Sequence, residues 1–327
     1  MAAYLLVGDI GGTKTNLALY SASNFALTIE RNYQNKAFTS AEQLIRQFHQ
    51  DVGFTASAAC FGVAGAVHSG RCNMPNLGWT IDSEALSQTF NFDKTILLND
   101  LEATAYGIAS LTPNQMLTIN EGVAQADGNI ALIAAGTGLG EAMLFHTSNG
   151  YQVVATEGGH ADFAPRSELE IALLQHLRNE YTHVSWERVV SGAGLKNIYD
   201  FLKKSGNEIE PEWLIERFAQ GQDASAIIAN CALQNEAEIC THALNLFMAS
   251  YGAEAGNLAL KALATGGIYI GGGIAPKILA KFHEDAFLSS FVNKGRFSTL
   301  LANIPVKVIL EPKTALIGAL AYLKNKL

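Results

Sequence analysis

The chain has 327 residues, 49% of them hydrophobic and 16% charged, with a formal net charge of -8 and a pI near 5.5. This allows a large core in one large or two medium domains and excludes a disordered chain. The acidic balance and scattered Lys and Arg argue against a nucleic-acid partner, which needs a basic face, but leave room for a nucleotide whose phosphates meet backbone amides and a metal ion.

Cys60, Cys72, Cys231 and Cys240 form no C-x-x-C pair and are expected as buried small side chains or free thiols in a reducing cytosol. Tyr4-Leu5-Leu6-Val7-Gly8-Asp9 follows the start without a basic leader, and no apolar run approaches the roughly 20 residues of a membrane span. A cytoplasmic protein without a membrane partner is expected.

The first predicted elements are a hairpin: a strand over Ala3 to Ile10, a turn at Gly11-Gly12-Thr13-Lys14, and a strand over Thr15 to Tyr20. A strand over Leu27 to Tyr33 comes next, then a helix over Ala41 to Gln50 with Ser40 as its N-cap. Ala58 to Ala64 and Thr95 to Leu98 read as apolar strands, the second stopping at Asn99-Asp100 before a helix over Leu101 to Ser110. Loop chemistry at Thr112-Pro113-Asn114 marks a boundary. Beyond it come strands at Ile130 to Ala134, Gly140 to Phe145 and Tyr151 to Ala155. Helices follow over Glu168 to Glu180, Ala193 to Lys204, Ala224 to Tyr251 and Ala253 to Leu263. A strand at Ile268 to Ile270 runs into Gly271-Gly272-Gly273 and a helix opened by Pro276; a strand at Val306 to Leu310 and a helix over Ala315 to Lys326 end the chain.

A strand ending in a glycine-rich turn recurs at Gly8 to Thr13, Gly136 to Gly140 and Gly271 to Gly273. Glycine lets backbone N–H groups approach phosphate oxygens, because no Cβ intervenes. Asp9, just ahead of the first turn, is placed to hold Mg²⁺ directly or through water. Gly8 to Thr15 nearly spells a P-loop, but Thr13 stands where the second glycine belongs, and the chain continues as a strand. No ribose-binding acid and strand-helix-strand unit follow Gly136-x-Gly-x-Gly, which sets aside a dinucleotide site. Asp100, between strand and helix, either caps the helix or projects a carboxylate as a base. Glu157 and His160 lie in one compact loop, separated by two glycines; by residue type alone His160 reads as a satisfied core histidine and Glu187 as part of a solvated helix face.

Asp9-Ile10-Gly11-Gly12-Thr13 and Ala135-Gly136-Thr137-Gly138-Leu139-Gly140 resemble the two phosphate-binding turns of sugar kinases in the hexokinase, actin and Hsp70 superfamily. Leu98-Asn99-Asp100, Glu157-Gly158-Gly159-His160-Ala161-Asp162-Phe163-Ala164-Pro165, Glu187-Arg188-Val189-Val190-Ser191-Gly192 and Ile270-Gly271-Gly272-Gly273-Ile274 narrow the resemblance to bacterial glucokinases. The resemblance implies an α/β, two-domain actin-like ATPase (ribonuclease H-like) fold with an interdomain active-site cleft. The small domain would take 1–110 and be completed by 302–327, with 111–301 as the large one.

It further implies ATP-dependent phosphorylation of D-glucose at the 6-hydroxyl, with Asp100 as general base. Asn99, Asp100, Glu157, His160 and Glu187 would bind the sugar. Gly8, Asp9, Gly11, Gly12, Thr13, Thr137, Gly138, Gly271, Gly272 and Gly273 would bind ATP, and Asp9 Mg²⁺, through water. Related repressor/open-reading-frame/kinase (ROK) proteins carry a cysteine-rich zinc site after the equivalent histidine. No cysteine lies between Cys72 and Cys231 here, so structural zinc is not expected. The partners expected are a small sugar and ATP, with a homodimer suggested by the resemblance. The alternatives are a kinase for mannose, fructose or N-acetylglucosamine, a ROK-type sugar-responsive regulator, and an actin- or Hsp70-like ATPase acting on a protein. The regulator would need a helix-turn-helix ahead of the first turn, where eight residues precede Asp9.

Overall fold

The computed structural model describes residues 4–206 and 208–327. The chain divides into two units, Met1–Thr112 with Glu311–Leu327, and Pro113–Leu310. In chain order, the first unit holds β1 (Tyr4–Ile10), β2 (Lys14–Ser21), β3 (Leu27–Gln34), α1 (Ala41–Val52), β4 (Ala58–Val63), β5 (Val67–His68), β6 (Arg71–Met74), β7 (Trp79–Asp82), α2 (Ser83–Phe90), β8 (Lys94–Asn99) and α3 (Asp100–Gly107). Ala3, given to the first strand from sequence, lies outside the described residues. The main sheet runs β3-β2-β1-β4-β8, with β1, β2 and β3 antiparallel and β1, β4 and β8 parallel. Every residue of β4 is buried, as a parallel strand covered on both faces requires. Ser40 caps α1 by accepting from Gln43 N at 3.2 Å. The small sheet β5-β6-β7 was not anticipated, because strands of two to four residues carry no readable alternation.

The second unit holds β9 (Met116–Asn120), β10 (Ile130–Ala135), β11 (Leu139–Thr147), β12 (Gly150–Thr156), α4 (Glu168–Leu177), α5 (Gly192–Ser205), α6 (Glu212–Ala219), α7 (Ala224–Leu233), α8 (Glu238–Ala262), β13 (Gly267–Gly271), α9 (Asp285–Val292), α10 (Ser298–Ala302) and β14 (Val306–Ile309). Its sheet runs β12-β11-β10-β13-β14-β9. Five neighbours repeat the first sheet: an antiparallel β-meander whose first strand pairs in parallel with a strand that in turn pairs in parallel with another. β14 belongs to this sheet, so the chain returns to the first unit at Glu311, later than the 302 read from sequence. There α11 (Thr314–Lys324) covers β1 and β4 through Leu316, Ala319 and Leu323 beside Val7 and Cys60.

The long helical region breaks elsewhere than expected. Sequence placed the break at Gly252, whereas α8 runs unbroken through it and the break lies between α7 and α8, where Asn235 has φ 53°. Gly252 and Gly256 serve close packing: a Cβ would stand 2.0 Å from Phe287 O at the first and 2.5 Å from Phe291 O at the second. α9 thus lies against α8 with no room for side chains there. Pro276 opens a short 3₁₀ turn, Ala275–Lys277, rather than a longer helix. Among the described residues no helix is long and apolar enough to cross a membrane.

Candidate active site

In the first unit, the turn after β1 is fixed from behind. Gly11 N donates to Lys14 O at 3.0 Å, closing the hairpin, and Gly12 and Thr13 are left exposed, with nothing within 4 Å of a Cβ position at Gly12. Asn35, 1% exposed, clamps the loop: its N–H donates to Thr13 O at 2.9 Å and its Nδ2 to Gly11 O at 2.8 Å, and its Oδ1 accepts from Thr15 Oγ1 at 2.7 Å. Sequence reasoning missed this residue, since a lone asparagine beyond β3 carries no local signal. Gly8 stands apart from the turn: Leu17 Cδ2 and Phe61 Cδ1 lie 2.6 Å from its Cβ position, so close packing of the core accounts for it.

Asn35→Ala would leave the Thr15 hydroxyl and the Gly11 carbonyl without a partner, at about 1–3 kcal/mol. The expected result is a lower Tm and a raised KM for ATP with the sugar KM little changed; equal effects on both KM values would contradict a role at the turn.

Asp9 and Asp100 lie at the carboxyl ends of parallel strands, where α/β sheets bind ligands. Asp9 is in register with Gly62 of β4, and Gly62 with Leu98 of β8. Gly62 permits the close approach of α3, because a Cβ there would be 2.9 Å from Ala103 Cβ and 3.8 Å from Asp100 Cα. Of the two uses open to Asp100, the capping role falls to its neighbour: Asn99 Oδ1 accepts from Leu101 N at 2.9 Å and Glu102 N at 3.4 Å, while its Nδ2 donates to Gly65 O at 3.1 Å. Asn99 is thereby occupied in holding the strand-to-helix corner. Asp100 Oδ1 accepts from Leu101 N at 2.8 Å. Burial raises the Asp100 carboxyl above the usual carboxylate range, against the backbone hydrogen bonds. Burial, and then the Asp100 charge, push Asp9 up to about 6, with Lys14 opposing. A groove of about 520 Å³ opens beside Asp9, lined in part by Lys14, Asn16, Arg31 and Lys313.

In the second unit three chain segments meet at the end of β10. The turn Gly136-Thr137-Gly138 is closed by Gly136 N donating to Gly138 O at 2.8 Å. Gly192, the first residue of α5, donates its N–H to Gly136 O at 2.9 Å, and Ser191 caps that helix by accepting from Gly194 N at 3.0 Å. Gly272 has φ 84°, its Cβ position 2.3 Å from Ala135 O, and Ile274 N donates to the same oxygen at 3.2 Å. Thr137, Gly272 and Gly273 are exposed, and Gly136 and Gly273 have nothing within 4 Å of a Cβ position. Gly271 is buried and packs on Leu132. Open glycine backbone beside a helix N-terminus suits phosphate. The contribution of α5 and its Ser191 cap was not assigned from sequence, although serine ahead of a helix is a readable cap signal. Tyr251 of α8 steadies the strand end, accepting from Ala135 N at 3.2 Å and donating to Ile133 O at 3.4 Å.

The acids and histidine read as sugar contacts gather around Leu139. Glu187 Oε2 accepts from Leu139 N at 3.0 Å and stands 2.4 Å from a Cβ position on Gly138, so its carboxylate braces the turn. Glu157 and His160 are exposed and flank Gly158-Gly159 in a single 3₁₀ turn, with His160 N donating to Glu157 O at 3.0 Å. The two glycines let that turn lie on β11: a Cβ at Gly159 would be 2.0 Å from Leu139 O, and one at Gly158 2.1 Å from Glu141 Oε2. Within this unit, Thr137, Gly138, Glu157, His160 and Glu187 are therefore brought together by short connections through one strand end.

A family model described as Glucokinase matches residues 6–326. A glucokinase of Nostoc sp. is 43% identical over 96% of this chain and 97% of its own length. The crystal structure of a glucokinase from an Antarctic psychrotroph superposes with a TM-score of 0.87 at 34% identity, covering 99% of this chain and all of that one. A ROK family glucokinase from Streptomyces griseus, solved with glucose and AMPPNP, shares the fold at a TM-score of 0.64 and 19% identity over 99% of this chain and 100% of that one. The actin-like sugar-kinase fold, the two glycine turns and full-length matches in sequence and structure lead to one assignment: the chain belongs to the glucokinase family of hexose kinases.

Proposed function

We propose that this enzyme transfers the γ-phosphoryl group of ATP to the 6-hydroxyl of D-glucose, with Asp100 as general base, giving glucose 6-phosphate and ADP. The observation that carries the reading is the pair Asp9 and Asp100, two neighbouring half-buried carboxylates at parallel strand ends, next to a turn with open backbone amides. Asp100 takes the proton of the 6-hydroxyl as that oxygen attacks phosphorus, and the bond to the ADP oxygen breaks. Because phosphoryl transfer asks mainly for position and charge neutralisation, most residues orient rather than react. Glu157, His160 and Glu187 accept and donate hydrogen bonds to sugar hydroxyls, with Asn99 holding Asp100 in place. The Gly11-Gly12-Thr13 turn and the Thr137-Gly138 turn with the N-terminus of α5 bind phosphate oxygens, and Gly272 and Gly273 leave backbone open to the adenosine.

Asp9 suits Mg²⁺, a hard ion that takes oxygen ligands and is commonly held by one or two carboxylates together with substrate phosphates. Among the described residues no group of three or more His, Cys, Asp and Glu could hold a metal. When bound, Mg²⁺ supplies charge neutralisation on the phosphates. The free, buried Cys60, Cys72, Cys231 and Cys240 suit a reducing compartment, and we assign the enzyme to the cytoplasm.

ADP release with Mg-ATP, measured over glucose, mannose, fructose and N-acetylglucosamine, tests this. Glucose is expected to give the highest kcat/KM. A higher value for another hexose would replace glucose as the substrate, and no rise above basal ADP release with any sugar would remove the kinase reading.

A further inference from the structure

Two residues beyond Leu139, β11 carries an acid that the proposed chemistry does not use. Glu141 is 1% exposed, and its Oε1 is enclosed with no hydrogen-bond partner. Its Oε2 and Cδ lie 2.1 and 2.8 Å from the Cβ position of Gly158, so the carboxyl abuts the turn bearing Glu157 and His160. Thr156 ties the same corner, its Oγ1 donating to Glu141 O at 3.0 Å and accepting from Gly158 N at 3.1 Å. Behind Glu141, within hydrogen-bonding reach, stands Glu254 of α8, which is 0% exposed. Glu254 accepts from Asn257 Nδ2 at 2.7 Å and Lys261 Nζ at 3.3 Å, and Lys294 Nζ donates to Asn257 Oδ1 at 2.6 Å and Ala253 O at 2.8 Å.

An ionised Glu141 would leave a bare charged oxygen in a dry site beside a second carboxylate, which is costly on both counts. With a proton on Oε1 it becomes a donor to Glu254, and the unpartnered atom is satisfied. We propose that Glu141 and Glu254 share one proton, and that this neutral pair is the wedge that positions the Gly158-Gly159 turn, making Glu141 a positioning residue for sugar binding. The proposal rests on the reading of Glu157 and His160 as sugar contacts.

Burial, then the Glu254 charge, push Glu141 up to about 8 against Lys261; burial also raises Glu254. Above that pH the proton passes to solvent, the two carboxylates repel, and the turn loses its support. The groups facing the pair are Tyr251 and Lys261 from α8 and Lys294 beyond α9, the last flanked in turn by Arg166 and Glu170. Burial holds Lys294 down to about 8, so it titrates in the same range, and a variant of Glu141 is needed to separate the two.

The test compares wild type with Glu141→Gln, which keeps size and a donor but cannot ionise; Glu254→Gln serves if that variant does not fold. Glucose KM and kcat are measured from pH 6 to 9.5, with hydrogen exchange of the segment 156–161, corrected for intrinsic base catalysis. Wild-type KM is expected to rise about tenfold through pH 8, with kcat changing less, while Glu141→Gln stays low and flat. Loop protection should fall above pH 8 in wild type alone. Thermal midpoints give an independent sign. Raised from the ordinary 4.5 to about 8, Glu141 contributes stability that is full below the first value and lost on rising to the second. Wild type should fall behind Glu141→Gln over that window and run parallel above it. Matching KM and exchange profiles in the two proteins would overturn the proposal. An unchanged glucose KM in Glu157→Ala would instead remove the sugar-loop reading. In that case exchange still decides whether the pair supports the turn.

Discussion

Asp100→Asn is expected to lower kcat by roughly 10²–10⁴-fold, the usual contribution of a positioned general base, while glucose affinity changes by no more than about fivefold. The fold should survive, because Asn99 caps α3 through Leu101 N and Glu102 N without Asp100. Asparagine also keeps an oxygen for the Leu101 N–H that now reaches Asp100 Oδ1. The pH profile distinguishes a base from a mere hydroxyl contact. Wild-type activity should fall on the acid side, since burial raises Asp100, burial and the Asp100 charge push Asp9 up to about 6, and the proposed roles need both as carboxylates. In Asp100→Asn the limb due to Asp9 should move to lower pH, because the Asp100 charge is the second cause of its elevation. Steady-state kinetics from pH 5 to 8, with glucose binding measured separately by titration calorimetry, provide the comparison. A variant within tenfold of wild-type kcat would rule out Asp100 as the base.

The elements carrying the candidate site were largely legible because their signals are local. A β-rich apolar run before Gly11-Gly12-Thr13 and an alternating one after it announce a hairpin, and Asn99-Asp100 ends an apolar run with a helix behind it. What escaped reading depends on residues distant in the chain. Asn35 is an ordinary polar residue until the hairpin folds back and gives it Gly11, Thr13 and Thr15 as partners. Gly252 reads as a helix breaker, yet its meaning lies in the Phe287 carbonyl of another helix. Glu141 looks like any polar residue alternating along a strand; only Glu254 on α8 and the Gly158 turn make it a buried acid. The two readings of Asp100 could not be separated by residue type, since aspartate suits both. The structure gives the N-cap to Asn99, while Asp100 Oδ1 also accepts from Leu101 N.

Asp9→Asn should make the enzyme more stable and much less active, and the two effects have one cause. Burial and the Asp100 charge raise Asp9 from 3.8 to about 6, so its stabilising contribution is full below the first value and lost as pH rises through the second. At pH 7 the ionised carboxylate therefore burdens the folded state by up to about 3 kcal/mol, which asparagine removes. The Tm gain should be present at pH 7 and vanish near pH 4, where wild type is neutral too. Activity should fall roughly 10²–10³-fold, because the carboxylate that suits Mg²⁺ is gone. The stability gain should shrink in an Asp100→Asn background, where part of the repulsion has already been removed, so a double-mutant cycle on Tm reads the Asp9–Asp100 coupling directly. An Asp9→Asn enzyme less stable than wild type at pH 7, or as active, would mean that Asp9 is held in place as a structural residue. A gain in Tm with a loss of turnover would instead mark a site where stability has been given up to keep two carboxylates close together.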